Sequence, residues 1–95
     1  MVYAIAMFSI TDGAAYRQYQ SQFMAVLNRY DGRVLVADEK PKVLEGVFNG
    51  DKVVVLAFAS EVEFRAFADS DEYQQISVDR RAGTKGFVVL AQGVS

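Results

Sequence analysis

An apolar run from Val53 to Ala59 constrains the fold of this chain more than any other stretch. It has the length and the β-branched content of a buried strand. Side chains alternate along a strand, so odd-numbered residues of the run face one way and even-numbered residues the other. Because both sets are apolar, we expect both faces of this strand to be covered by other parts of the protein.

The residues that follow the run predict two helices. Ser60 and Glu63 have the spacing of a capping box, in which the Ser60 hydroxyl accepts a hydrogen bond from the backbone N–H of Glu63. The polar stretch 69–71 interrupts the helix, and Ser70 is predicted to cap a short third helix that ends at Gly83.

The remaining elements follow from periodicity and turn residues. Further strands are predicted at residues 2–10, 33–37 and 86–91. Apolar residues at helical spacing predict a helix from an Asp12 cap to about Tyr30, and Gly32 is expected to take the left-handed conformation that ends many helices.

Residues 43–48 are also predicted to be extended, and Asn49-Gly50 follows them. An Asn-Gly pair between two apolar runs is a strong signal for a two-residue hairpin. Such a hairpin would place Glu45 opposite Val54, among apolar side chains of the sheet, where a carboxylate is unusual.

The element order predicts one α+β domain over residues 1–95. Right-handed crossovers turn a strand-helix-strand-strand-helix-strand order into a ferredoxin-like βαββαβ sandwich, an antiparallel four-stranded sheet with the helices on one face. The other face would then be apolar and uncovered, over an area larger than monomers usually expose. We therefore expect a homodimer in which two sheets pack face to face.

Composition excludes several functional classes. The chain has no Cys and no His, which removes thiolate chemistry, the commonest general base and the commonest transition-metal ligand. Acidic residues lack the spacing of a calcium loop, and no glycine-rich phosphate loop follows a strand. We expect no metal site and no organic cofactor.

Net charge and hydropathy bear on the compartment of the protein and on the classes of partner that it could have. The net charge of −2 gives no basic footprint for nucleic acid. An RNA-recognition domain has the same element order, but it needs basic and aromatic residues where the run at 53–59 is aliphatic. The apolar N-terminal stretch is too short to span a membrane and lacks a basic leader. We expect a cytoplasmic protein without nucleic-acid or membrane partners.

The chain resembles a known family over nearly its whole length. The resemblance lies in Tyr16 and Tyr19 with their spacing, Gly32 to Val36, Val43 to Gly46, Val53 to Phe58, and Ser70 to Gln74 ahead of Arg80. These segments are similar to the domain of unknown function 1330 family. That resemblance implies ferredoxin-like subunits of the dimeric α/β-barrel group. Many members have proline where this chain has Asp71, and the family has no established reaction from which catalytic residues could be carried over.

Four residues are candidates for chemistry. Glu45, if it lies on the sheet among apolar neighbours, would have a raised pKa and could act as acid or base. It could instead form a structural ion pair with Arg33 or another Arg that holds an edge or the dimer together. Arg33 could also cap the carbonyls of the first helix. Tyr73 and Arg80 lie seven residues apart on one side of the third helix and could orient an anionic or carbonyl ligand. Tyr73 could also be a core residue with its hydroxyl at the surface.

Two functions remain open from the sequence. One is a cofactor-independent enzyme acting on a small organic molecule in a pocket between sheet and helices, with Glu45 as the acid–base group and Arg33, Tyr73 and Arg80 as ligand-binding residues. This rests on an analogy with enzymes of the same fold. The alternative is a non-catalytic dimeric module that binds a small molecule or has a structural role.

Overall fold

The computed structural model describes residues 1–94. Its helices and strands follow the predicted order, in which two helices lie between the last two strands of the sequence. The elements are β1 (Val2–Ile10), α1 (Gly13–Asn28), β2 (Arg33–Asp38), β3 (Lys52–Phe58), α2 (Glu61–Ala68), α3 (Asp71–Gly83) and β4 (Thr84–Gln92). The four strands form one antiparallel sheet in the order β2-β3-β1-β4. This is the ferredoxin-like α+β arrangement that the sequence predicted.

The hydrophobic core lies between the helices and one face of the sheet. Even-numbered residues of β1 and β3 supply the sheet side, as strand alternation requires. Together with the helices they form a buried cluster of Val2, Ala4, Phe8, Tyr16, Tyr19, Val26, Leu27, Leu56, Phe58, Phe67 and Ile76. Five of these residues are aromatic, so much of the space between the layers is spanned by rings.

Two of the three predicted helix caps are confirmed. An Asp12 carboxylate oxygen accepts hydrogen bonds from the backbone N–H groups of Ala14 and Ala15, at 3.1 and 3.2 Å. The Ser70 hydroxyl accepts from the backbone N–H of Tyr73 at 3.1 Å. Each cap satisfies donors that have no partner inside their own helix.

The side-chain bond predicted at the start of α2 is wrong. Ser60 is the N-cap residue, but its hydroxyl donates to the Glu63 carboxylate instead of accepting from a backbone N–H. This hydrogen bond, aided by one from the backbone, lowers the pKa of the exposed Glu63 carboxyl below its usual value.

The left-handed residue after α1 is Asp31, with φ of 57°, and not the predicted Gly32. Gly32 is required for a different reason. A Cβ at this position would overlap the Leu27 side chain and lie 2.7 Å from a ring carbon of Phe58. Since Leu27 and Phe58 are fully buried, they have no room to move away from it.

The predicted hairpin at Asn49-Gly50 is also wrong. Both edges of β3 are already occupied, because Val54 pairs with Ala6 of β1 and with Ala37 of β2. Residues 43–48 therefore have no strand edge to join, and they lie in the long connection 39–51. Asp51 closes this connection: its N–H donates to the Phe8 carbonyl at 2.9 Å.

The sheet face turned away from the helices is apolar, as strand alternation predicted. It carries the odd-numbered residues of β1, β3 and β4, and its most exposed ring is Phe87, with 53% of its surface accessible. In the long connection, Leu44 and Val47 are 93% and 85% exposed. Among residues 1–94, no helix is both long and apolar enough to cross a membrane.

Candidate functional site

A cavity of about 480 Å³ lies between the helices and the sheet. Even-numbered residues of β1 and β3 form its floor, and all three helices contribute to its walls. This volume falls within the range of small-molecule binding sites. It exists because the helix layer reaches the sheet through long aromatic side chains, with small residues such as Ala4 and Ala6 beneath them.

Aromatic residues make up half of the helical wall. The Phe67 and Tyr73 rings lie 4.4 Å apart, and Phe67 meets Phe23 edge to face at 6.2 Å. The Tyr19 ring lies next to both Phe23 and Tyr73, with ring centres 5.6 Å and 6.3 Å away. These tilted and edge-to-face contacts hold the rings in place and present an apolar surface to the cavity.

Two phenols of this wall share a hydrogen bond. The hydroxyl oxygens of Tyr19 and Tyr73 are 3.1 Å apart, and either can be the donor. Burial raises the pKa of the Tyr19 phenol well above its usual value, and Tyr73 adds to the rise, while the positive charge of Arg80 opposes it. Tyr19 is therefore protonated at neutral pH. When Tyr19 donates to Tyr73, the Tyr73 proton is left to donate to a molecule in the cavity.

Arg80 lines the cavity next to this phenol pair. Its Nε atom is buried, and no group among residues 1–94 accepts a hydrogen bond from it. An unsatisfied buried donor of this kind is uncommon in folded proteins and favours an acceptor at that point. The neighbouring Arg81 differs, because its guanidinium donates to the Ser77 hydroxyl at 2.8 Å.

Lys52 is a buried cation at the sheet side of the cavity. Only 4% of the residue is exposed, and its ammonium lies 5.0 Å from the centre of the Tyr16 ring. Sequence reasoning missed Lys52, although a signal existed. Strand alternation places Lys52 on the same face as Val54 and Leu56, which is the face that the helices cover.

The structure brings together two of the four candidates from the sequence. Tyr73 and Arg80 both line the cavity, and their role in binding stays a prediction. Arg33 and Glu45 are absent from its lining. Arg33 is exposed at the start of β2, on the face opposite to Val34, and Glu45 is exposed in the long connection. No ion pair joins Arg33 to Glu45 in the described part of the chain.

The segment Ser70 to Gln74 has a structural role that sequence reasoning did not foresee. Glu72 accepts a hydrogen bond from the Tyr30 hydroxyl at 3.0 Å and forms an ion pair with Arg29. With the Tyr19–Tyr73 bond, these contacts join α3 to α1. Gln74 joins α3 to α2 by donating to the Ala68 carbonyl at 2.7 Å.

Metal binding finds no support in these side chains. Within residues 1–94, no three acidic, His or Cys residues come together as a ligand set. Among the described residues that line the cavity, only Asp69 carries a carboxylate, and it is exposed.

The protonated state of Tyr19 predicts a specific pH dependence of stability. The unfolded phenol loses its proton above about pH 10, whereas folded Tyr19 keeps it because its pKa is raised. The stabilisation is thus fully present below about pH 10 and is lost as pH rises further, by up to about 1.4 kcal/mol per pH unit. Urea unfolding from pH 8 upwards measures this loss.

The Tyr19→Phe variant is the control for this measurement. It lacks the phenol but keeps every other titrating group, so the difference in unfolding free energy between the two proteins isolates Tyr19. We expect this difference to be constant up to about pH 10 and to shrink above it. A difference in unfolding free energy that stays constant over the whole pH range would contradict a raised pKa for Tyr19.

Comparisons with known proteins agree with this fold. The family model for the domain of unknown function DUF1330 matches residues 1–94. No curated protein matches the sequence. Among solved structures, the chain is similar to RPA0582 of Rhodopseudomonas palustris, a protein of unknown function. The two share 15% identity and a TM-score of 0.84, over 99% of this chain and 82% of that one.

Two further structures are similar in fold to this chain. SnoaB of Streptomyces nogalater, a cofactor-independent oxygenase, has a TM-score of 0.70 and 15% identity, with 99% of this chain and 93% of that chain covered. An antibiotic biosynthesis monooxygenase has a TM-score of 0.61 and 15% identity, with both chains covered completely. At such identities the likeness establishes the ferredoxin-like fold alone. With its sequence matched over residues 1–94, this chain belongs to the DUF1330 family.

Proposed function

We propose that this protein binds a small, mainly apolar organic molecule in the cavity between its helices and its sheet. The cavity carries the proposal: it measures about 480 Å³, and its mainly apolar surface is combined with a smaller number of polar and charged groups. Sites with this combination of size, apolar surface and convergent polar groups are the usual places where proteins bind small molecules.

The arrangement of the walls suits a flat molecule. Phe23 and Phe67 offer ring faces and edges against which an aromatic or unsaturated body packs. When the Tyr19 hydroxyl donates to that of Tyr73, the Tyr73 hydroxyl is available to donate to a carbonyl or hydroxyl oxygen of the ligand.

A matched pair of substitutions on α2 tests this proposal. Ala68 lines the cavity, whereas Ala66 on the same helix is exposed and outside the lining. We expect Ala68→Phe to weaken binding of the neutral fluorescent probe N-phenyl-1-naphthylamine by about tenfold or more, because the added ring occupies cavity volume. Ala66→Phe should leave the affinity unchanged.

Fluorescence titration measures both variants, and the chain has no Trp to disturb the signal. Equal affinities for the two variants would mean that the probe binds elsewhere. Failure of the wild-type protein to bind any aromatic probe, neutral or anionic, would remove the proposal.

A second candidate function is oxygenation of the bound molecule without a cofactor. Its support is the fold shared with SnoaB and with an antibiotic biosynthesis monooxygenase. The acid–base role predicted for Glu45 does not enter this proposal, since that carboxylate is exposed and outside the cavity lining. Tyr73 is the proton donor that remains available to the ligand.

Oxygen uptake distinguishes this enzyme from a binding protein. We expect dioxygen consumption with some member of a panel of phenols and enolisable ketones. Tyr73→Phe should lower the rate by about a hundredfold, as expected for loss of a positioned proton donor. Glu45→Gln should be fully active. If ligands bind but no dioxygen is consumed, only the binding function stands. An inactive Glu45→Gln variant would mean that Glu45 takes part in the reaction.

The partner of the open sheet face is, in this proposal, a second copy of the chain. Apolar residues cover the centre of that face, and Val89 and Phe87 of β4 are each about half exposed. Monomers seldom leave contiguous apolar patches of more than about 300–600 Å² in water, and identical patches pair through a two-fold axis.

Sedimentation at micromolar concentration tests the pairing. We expect the wild-type protein to sediment as a dimer. Val89→Glu should produce a monomer, because the carboxylate would lie in the sheet–sheet interface. The control is Val78→Glu, which places the same charge at an exposed position on α3. A monomeric wild-type protein, or a Val89→Glu variant that still pairs, would contradict the proposal.

A further inference from the structure

We infer that the molecule held in the cavity is an organic anion, whose negative group binds beside Lys52 and Arg80. The inference rests on the proposed binding function and adds the chemical class of the ligand. Its basis is the charge of the lining, the burial of Lys52 and the unsatisfied nitrogen of Arg80.

The charge of the cavity is opposite in sign to that of the chain. The protein has a net charge of −2. Of the four charged residues that line the cavity, however, Lys52, Arg80 and Arg81 are cations and only Asp69 is an anion. Asp69 is exposed, so its charge is screened by water more than that of a buried group. A cleft with one dominant sign of charge and apolar walls concentrates ligands of the opposite sign.

Lys52 has one counter-ion in the described part of the protein, and that counter-ion is largely exposed to solvent. In the described residues, the carboxylate nearest to its ammonium is that of Glu39, at 3.8 Å, beyond hydrogen-bond distance. The Glu39 side chain is itself 63% exposed. A buried ammonium has three donors, and burial without acceptors is unfavourable unless a charge pairs with it. The Glu39 carboxylate and the face of Tyr16 supply part of that compensation, and a bound anion would supply the rest.

The two cations lie along the same row of tyrosines. Lys52 lies over Tyr16, whose ring centre is 6.0 Å from that of Tyr19, and Arg80 is close enough to Tyr19 to oppose the rise in its pKa. Beyond Tyr19 the row continues to Phe23, with ring centres 5.6 Å apart. The lining is therefore cationic at one end and apolar at the other. A ligand with a flat apolar body and one acidic group matches both ends.

A pair of probes with the same shape and different charge tests the inference. At neutral pH 2-naphthoate is an anion, whereas 2-naphthamide is neutral. We expect wild-type protein to bind 2-naphthoate about tenfold or more tightly than the amide, the range of a charge-assisted hydrogen bond. Lys52→Met should remove most of this preference, and Lys52→Arg should retain it.

Lys42→Met is the matched control, since it removes the same charge from an exposed position in the long connection. It should bind both probes as the wild-type protein does. Equal binding of the two probes by wild-type protein would overturn the inference while the binding function stands, and this comparison needs no variant to fold. Binding of neither probe would instead remove the proposed function. A Lys52→Met variant that folds and keeps the preference would exclude Lys52 as the anion-binding group.

Discussion

The architecture depends on β3, a strand with both edges paired and both faces apolar. Its edges are occupied by β1 and β2, so residues 43–48 cannot join the sheet and lie in the long connection that carries Glu45. Its even-numbered face requires a helix layer, and its odd-numbered face forms the centre of the open apolar surface. One strand thereby determines the strand order, the side on which the cavity forms and the surface that a partner would cover.

The helix layer is held together largely by its own contacts. Arg29 and Tyr30, which directly follow α1, bind Glu72 of α3, and Tyr19 of α1 binds Tyr73. These links join the two helices without filling the space beneath them, where small alanine side chains of β1 form the floor. A wall stabilised in this way does not need a ligand to stay in place, and a preformed cavity binds at a lower cost in ordering entropy. The tyrosine pair thus contributes both to stability and to the cavity surface.

Local patterns in the sequence predicted the elements, and they failed where the answer depended on distant pairing. The spacing of seven residues was sufficient to place Tyr73 and Arg80 on one side of α3, and both line the cavity. The position of Glu45 depended on whether β3 had a free edge. Residues 43–50 alone carry no information about which strands pair with β3. Gly32 illustrates the same limit, because the atoms that exclude a side chain there belong partly to Phe58, far along the chain.

The side chains of the cavity restrict the chemistry more than the shared fold does. Burial keeps the Tyr19 phenol protonated, so it cannot serve as a base at neutral pH. The chain contains no His or Cys, and Lys52 lies among apolar and aromatic groups on the sheet side. A lining of this kind contributes hydrogen-bond donors and positive charge, both of which stabilise negative charge on a ligand. A reaction that uses only these donors and cations would therefore depend on an acidic group of the ligand itself, with the protein lowering the energy of the anion that this group forms.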